Sequence, residues 1–184
     1  MPELITGLPL HPLIVHFVVV LLPIASLGAI LTAVWPAVRR RFGWLTVAAA
    51  AVATALVPVA TTSGENLETG LGGGNPLIDR HQELADIMIW WALGLTVSVA
   101  ALMIVHTMSE RQTRTPAAPE IDDGGGSVAT ETMTATKRST GLTVALVVAM
   151  LATVGLSIGT GIHIYRVGDA GARTVWQDVG ENLK

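Results

Sequence analysis

The chain has five histidines and no cysteine, so any metal or haem chemistry must rest on imidazole, methionine, carboxylate or the single tyrosine. Disulfides, thiolate metal sites, cysteine-ligated iron–sulfur clusters and thioether-attached haem are excluded. His11 and His16 stand in LPLHPLIVHF at the mouth of a long apolar run, His81 opens HQELAD, His106 lies in IVHTM and His163 in GTGIHIYR. Imidazole is the commonest metal-ligating side chain and the usual axial ligand of b-type haem, which sets the chemistry to look for. His11 and His16, five residues apart, would be separated by about 140° on a continuous helix, so they do not chelate one ion by themselves. A residue before proline is disfavoured in the α region, which predicts His11 just outside the helix, capping its mouth. His16 is then the committed helical residue, on one face with Val20 and Pro23.

The elements that must position these side chains follow from composition. The 184 residues are 51% hydrophobic and 14% charged, with a mean hydropathy of +0.57 and a net charge of −3, too apolar for an ordinary soluble domain. Four apolar runs are each long enough to cross a bilayer as a helix: Pro12 to Trp35, Trp44 to Thr62, Leu84 to Met108 and Gly141 to Tyr165. The expected fold is all-α, a single domain of four transmembrane helices in an antiparallel bundle. Asp86 alone places a full charge in a span, near its end. Pro36 should stop the first span, while Pro23 and Pro58 should kink the spans that contain them. The basic residues are too dispersed for a nucleic-acid footprint.

Arg39, Arg40 and Arg41 follow the first span, and Arg111, Arg114, Lys137 and Arg138 flank the segment after the third. The positive-inside rule makes those sides cytoplasmic, so both termini and the 63–83 loop face outward. Residues 109–139, rich in Thr, Ala, Gly and Pro, read as a flexible cytoplasmic linker. The GLGGGNP run, Gly70 to Pro76, reads as a turn and lacks the Lys-Ser/Thr of a phosphate loop. In the tail, Gly168 and Gly171 are expected to bracket a turn, Asp169 and Arg173 to pair if helical, and Trp176 to anchor at the interface.

With this topology His11, His16, His81 and His163 converge on the outer face, and His106 marks the inner boundary. Gly155 and Gly159 form a G-x-x-x-G that favours close helix packing and offers a homo-oligomer surface; the same stripe leaves space beside His163 for a flat ring. Trp90 and Trp91, being adjacent, must point to different faces of their helix. Glu65, Glu68 and Glu83 could accept hydrogen bonds from ring N–H groups.

Three segments, LPLHPLIVHF, SGENLE with HQELAD, and YRVGDAGARTVW, together resemble a bacterial membrane-protein family catalogued as domain of unknown function 2231. The resemblance covers nearly the whole chain except the linker. It marks His11, Pro12 and His16, then Gly64, Glu65 and His81, then Gly168, Gly171, Ala172 and Trp176. It implies a four-helix protein of the bacterial inner membrane. Some relatives are joined to Rieske or cytochrome-like domains, which implies a place near respiratory electron transfer and membrane redox partners. Relatives often carry His-Ser where this chain has Asp169-Ala170.

These readings lead to a multi-pass inner-membrane protein whose outward histidines bind b-type haem or a metal ion for electron transfer. The expected cofactor ligands are His16 and His163 first, then His81 and His11, with His16, His163 and His81 as the metal set; no catalytic residue is assigned. The rival is a non-enzymatic membrane scaffold or assembly partner with structural histidines. A transporter ranks below both, because the spans hold no deeply buried charge pair and no paired broken helices.

Overall fold

A computed structural model describes residues 4, 5, 8–71, 75–114 and 140–182, with side chains described for 11–70, 75–112 and 140–176. Four helices account for nearly all of it: α1 (Leu10–Val34), α2 (Pro36–Leu71), α3 (Pro76–Arg114) and α4 (Thr140–Asn182). A two-residue ladder precedes them, with Leu4 opposite Pro9 and Ile5 opposite Leu8. All four helices are long and apolar enough to cross a membrane. Their exposed flanks carry large apolar side chains such as Phe17, Trp90 and Leu151, the expected partners of lipid tails.

Only Trp35 separates α1 from α2, with Pro36 opening the second helix as expected of a residue that cannot continue the first. Pro23 and Pro58 lie inside α1 and α2. Three sequence expectations change. The 63–83 segment is not one loop, because α2 runs to Leu71 and α3 begins at Pro76. Asn75 caps α3, its side-chain Oδ1 accepting from the Leu77 N–H at 2.9 Å, and Pro76 takes the first helical position. The tail does not turn at Gly168 and Gly171; α4 continues through both. The first residues of the expected linker, Ser109 to Arg114, are the last turns of α3, and the rest of it lies outside the described residues, as do residues 72–74 of the glycine run. In each case the helix outlasts its apolar run, because backbone hydrogen bonding continues wherever water or headgroups can solvate polar side chains.

α1 packs on α2 and α4, and α3 on α4 and α2, while α1 and α3 scarcely touch, so the four helices form a ring. The core is built from small residues: Ala25, Ala29, Ala50, Ala53 and Ala92 are fully or almost fully buried beside Leu22, Leu95 and Val99. Small side chains let helix backbones approach closely where no hydrophobic effect drives association. Thr54 adds a polar link, its hydroxyl donating to the Ala92 carbonyl at 3.1 Å and lying 2.9 Å from the Thr96 hydroxyl.

The buried positions repeat between the halves of the chain. Val18, Leu22, Ala25, Ala29, Thr32 and Ala33 of α1 correspond to Met88, Ala92, Leu95, Val99, Leu102 and Met103 of α3, at the one offset that also carries His11 to His81. Thr46, Ala50, Ala53 and Val57 of α2 correspond to Thr153, Ser157, Thr160 and Ile164 of α4, at the offset that carries Gly64 to Gly171.

Candidate functional site

Four of the five histidines sit toward the end of the bundle formed by the start of α1, the late part of α2, the start of α3 and the late part of α4. His11 is the second residue of α1 rather than a residue outside it. Pro12 is tolerated there because the first helical turn has no N–H partners to lose. The His11 Nδ1–H donates to the Ala60 carbonyl of α2 at 2.9 Å, with the Ser63 hydroxyl 3.2 Å away. His81 repeats this on the other half: its Nδ1–H donates to the Val167 carbonyl of α4 at 3.0 Å.

A glycine stands four residues after each accepting carbonyl, Gly64 after Ala60 and Gly171 after Val167. A helical Cβ tilts toward the N-terminus, so a side chain at that position would lie over the carbonyl one turn back. A Cβ on Gly64 would fall 2.9 Å from the His11 ring, and one on Gly171 would fall 3.0 Å from the His81 ring. The two glycines therefore make the seats in which the two imidazoles lie. Both were singled out in the sequence without this role, because the ring that fills each seat comes from a distant segment.

A carbonyl oxygen only accepts, so each ring nitrogen that faces one carries the proton. The neutral forms of His11 and His81 thus keep their lone pair on Nε2. This is the preparation seen in ligating histidines generally, where the second nitrogen is anchored to a carbonyl.

His163 is buried and faces the other way, its Nε2–H donating to the Leu84 carbonyl of α3 at 2.8 Å. Its ring stacks on Trp91, with centroids 6.0 Å apart and planes 26° apart. The Trp91 ring lies directly against Gly159, so that half of the G-x-x-x-G is used within the chain, while Gly155 has open space where a Cβ would be. Trp90 points outward at 72% exposure. His16 is exposed on the outer flank of α1, its Nδ1 bonded to the Pro12 carbonyl of its own helix. The structure thus seats His11 on α2 and His81 on α4, sets His163 against Trp91, and leaves His16 on the flank.

Among the described residues no group of three or more His, Asp or Glu side chains is placed to hold a metal ion. Glu65 and Glu83 are exposed, and Glu83 pairs with Arg80 at 2.9 Å. Asp86 is exposed as well, and Asp169 pairs with Arg173 at 3.0 Å. At the opposite end His106 is buried with Glu110 at 3.4 Å, and Arg39 reaches back to the carbonyls of Thr32 and Ala33, capping α1. Sequence reasoning missed that cap, reading Arg39 only as a topology signal.

Four helices long and apolar enough to span, with lipid-suited flanks, define a multi-pass membrane protein. The chain belongs to the DUF2231 family of predicted membrane proteins, whose sequence model matches residues 7–183. No curated protein and no solved structure matches it.

Proposed function

We propose that this protein is a multi-pass inner-membrane protein that uses its outward-facing histidine end to bind b-type haem or a metal ion for electron transfer with membrane redox partners. One observation carries the reading: His11 and His81, at the same end of the bundle and in opposite halves of the chain, each have Nδ1 held by a carbonyl and the Nε2 lone pair left to ligate. His16 and His163 remain candidate ligands at the same end, through the Nε2 and Nδ1 that their carbonyl bonds leave free. A cofactor bound there would supply one-electron chemistry, and the chain's own part is to fix the rings' orientation and protonation. Elemental analysis and a visible spectrum of protein purified from haem-replete cells test this. Stoichiometric iron, copper or zinc supports it, and protein free of both metal and chromophore overturns it.

A second reading is favoured by the same bonds seen as structure. His11 ties α1 to α2, while His81 and His163 tie α3 to α4, so the histidines serve as clasps in a non-enzymatic scaffold. On that reading chelators leave the protein unchanged, and replacing both His11 and His81 lowers stability without releasing any metal.

Orientation is part of the proposal. Arg40 and Arg41 stand at the end opposite the histidines, and the positive-inside rule places that end in the cytoplasm.

A further inference from the structure

The first turns of α2 carry three consecutive arginines that the histidine end does not use. Arg39 is buried and occupied by the carbonyls of Thr32 and Ala33. Arg40 and Arg41 are exposed, and neither has a carboxylate partner among the described residues. The exposed Arg80 and Arg173, by contrast, pair with Glu83 and Asp169 on their own helices.

Depth makes these two charges costly. Only Trp35 joins α1 to α2, and the chain turns back there: Gly28 lies against Thr46, and His11 meets Ala60. The 24-residue span of α1 is about 36 Å long, little more than the roughly 30 Å of a hydrocarbon core, so the corner stands within a few ångströms of its edge. Arg40 and Arg41, about one and a half turns past Trp35, lie about 8 Å back toward that core. They are level with the end of α1, where Leu31 and Val34 are exposed. A guanidinium keeps its charge at this depth, so it must reach out of the apolar layer and is best satisfied by an anion.

The surroundings suit a lipid. Ala37, Arg40, Arg41, Trp44, Leu45 and Ala48 recur at helical spacing on one exposed face of α2. Helical side chains lean toward the N-terminus of their helix, so the guanidiniums reach toward the headgroups while Trp44 and Leu45 cover the turn beneath them. The Arg41 guanidinium lies over the Phe42 ring, 5.5 Å from its centroid, which restricts its direction.

We infer that Arg40 and Arg41 form a binding site for an anionic phospholipid, its phosphodiester between the two guanidiniums and its acyl chains along Trp44 and Leu45. Guanidinium forks match phosphate oxygens, and tryptophan favours the interfacial level just below them. A zwitterionic lipid would bring its own cation beside two others. Phosphate is common to a lipid headgroup and a free ion; the apolar floor under the arginines selects the lipid. The site lies at the end opposite the histidines and does not depend on the cofactor reading.

The test is titration of dioleoyl phosphatidylglycerol into detergent-purified full-length protein, with bound lipid counted by native mass spectrometry. Arg40→Gln and Arg41→Gln are each expected to weaken binding about fivefold, and the double variant about twenty-five-fold, the strength of one basic side chain per step. Both side chains are exposed, so the unfolding temperatures of these variants without lipid are expected to match wild type. Arg80→Gln and Arg173→Gln, which remove the same charge elsewhere, are expected to leave binding unchanged. Equal affinity for dioleoyl phosphatidylcholine, undiminished binding by the double variant, or an equal loss in the Arg80 and Arg173 variants overturns the site. Inorganic phosphate, at an ionic strength matched with chloride, is expected not to displace the lipid; displacement makes the ligand free phosphate and overturns the lipid assignment.

Discussion

A glycine four residues past a carbonyl decides where each paired histidine can rest. Gly64→Ala and Gly171→Ala place a methyl against an imidazole ring, so each is expected to lower stability by about 1–3 kcal/mol, the usual range for overpacking a filled site. Gly155→Ala, where the space is open, should leave stability unchanged or slightly raised. Thermal unfolding in one detergent checks all three; equal behaviour of Gly155→Ala and Gly171→Ala would contradict the seating. At this scale the sequence singled out the four histidines that lie toward one end of the bundle but not the direction in which each points. His16 was favoured because it is firmly helical, yet a helical position also fixes direction, and this one faces the flank with Phe17 and Val20. Direction is set by which face packs, and His16 shows no period distinguishable from that of its equally apolar neighbours.

Helix existence was legible because runs of about 20 apolar residues have few other outcomes. Helix ends were not, since α2, α3 and α4 continue into charged sequence where hydropathy falls but the backbone pattern persists. At the start of α2, Arg39 donates to the last carbonyls of α1 and is almost fully buried. Arg39→Gln is expected to cost about 1–3 kcal/mol by leaving buried acceptors unsatisfied, measurable as a lower unfolding temperature, with no loss if the guanidinium is dispensable. Gly161 of α4, which the α2-to-α4 offset matches to Thr54, has open space, and Ser26 Oγ of α1 is without a partner among the described residues. Gly161→Thr should therefore be more stable than Gly161→Val by about 0.6–1.7 kcal/mol, and the difference should vanish when Ser26 is replaced by Ala. An unchanged difference in that background would sever the proposed equivalence of Gly161 with Thr54.

At the scale of the molecule, spans of 35 to 37 residues in α2, α3 and α4 are about 50 Å long, well beyond the roughly 30 Å of a hydrocarbon core. The helices must project from the bilayer, and Glu65, Glu68, Arg166 and Asp169 on the histidine end suit that projection. Cysteine introduced at Glu65 is expected to react with an impermeant thiol reagent from outside the cell, and cysteine at Arg41 only after the membrane is opened; the reverse pattern would put the histidine end in the cytoplasm. The duplication was not legible from the residues, because the halves share His11 with His81, Thr46 with Thr153 and Gly64 with Gly171 among many dissimilar pairs. Alanine, leucine and valine exchange freely in a lipid-facing helix, so burial kept a register that identity does not display. The central claim is that the histidine end holds a redox cofactor, and the visible spectrum of the purified protein, oxidised and then reduced, tests it most directly. A Soret band that shifts on reduction, present in wild type and lost in the His11→Ala, His81→Ala double variant, is the predicted result. A colourless wild-type protein from haem-replete cells, with unfolding unaffected by added haem, would contradict the account.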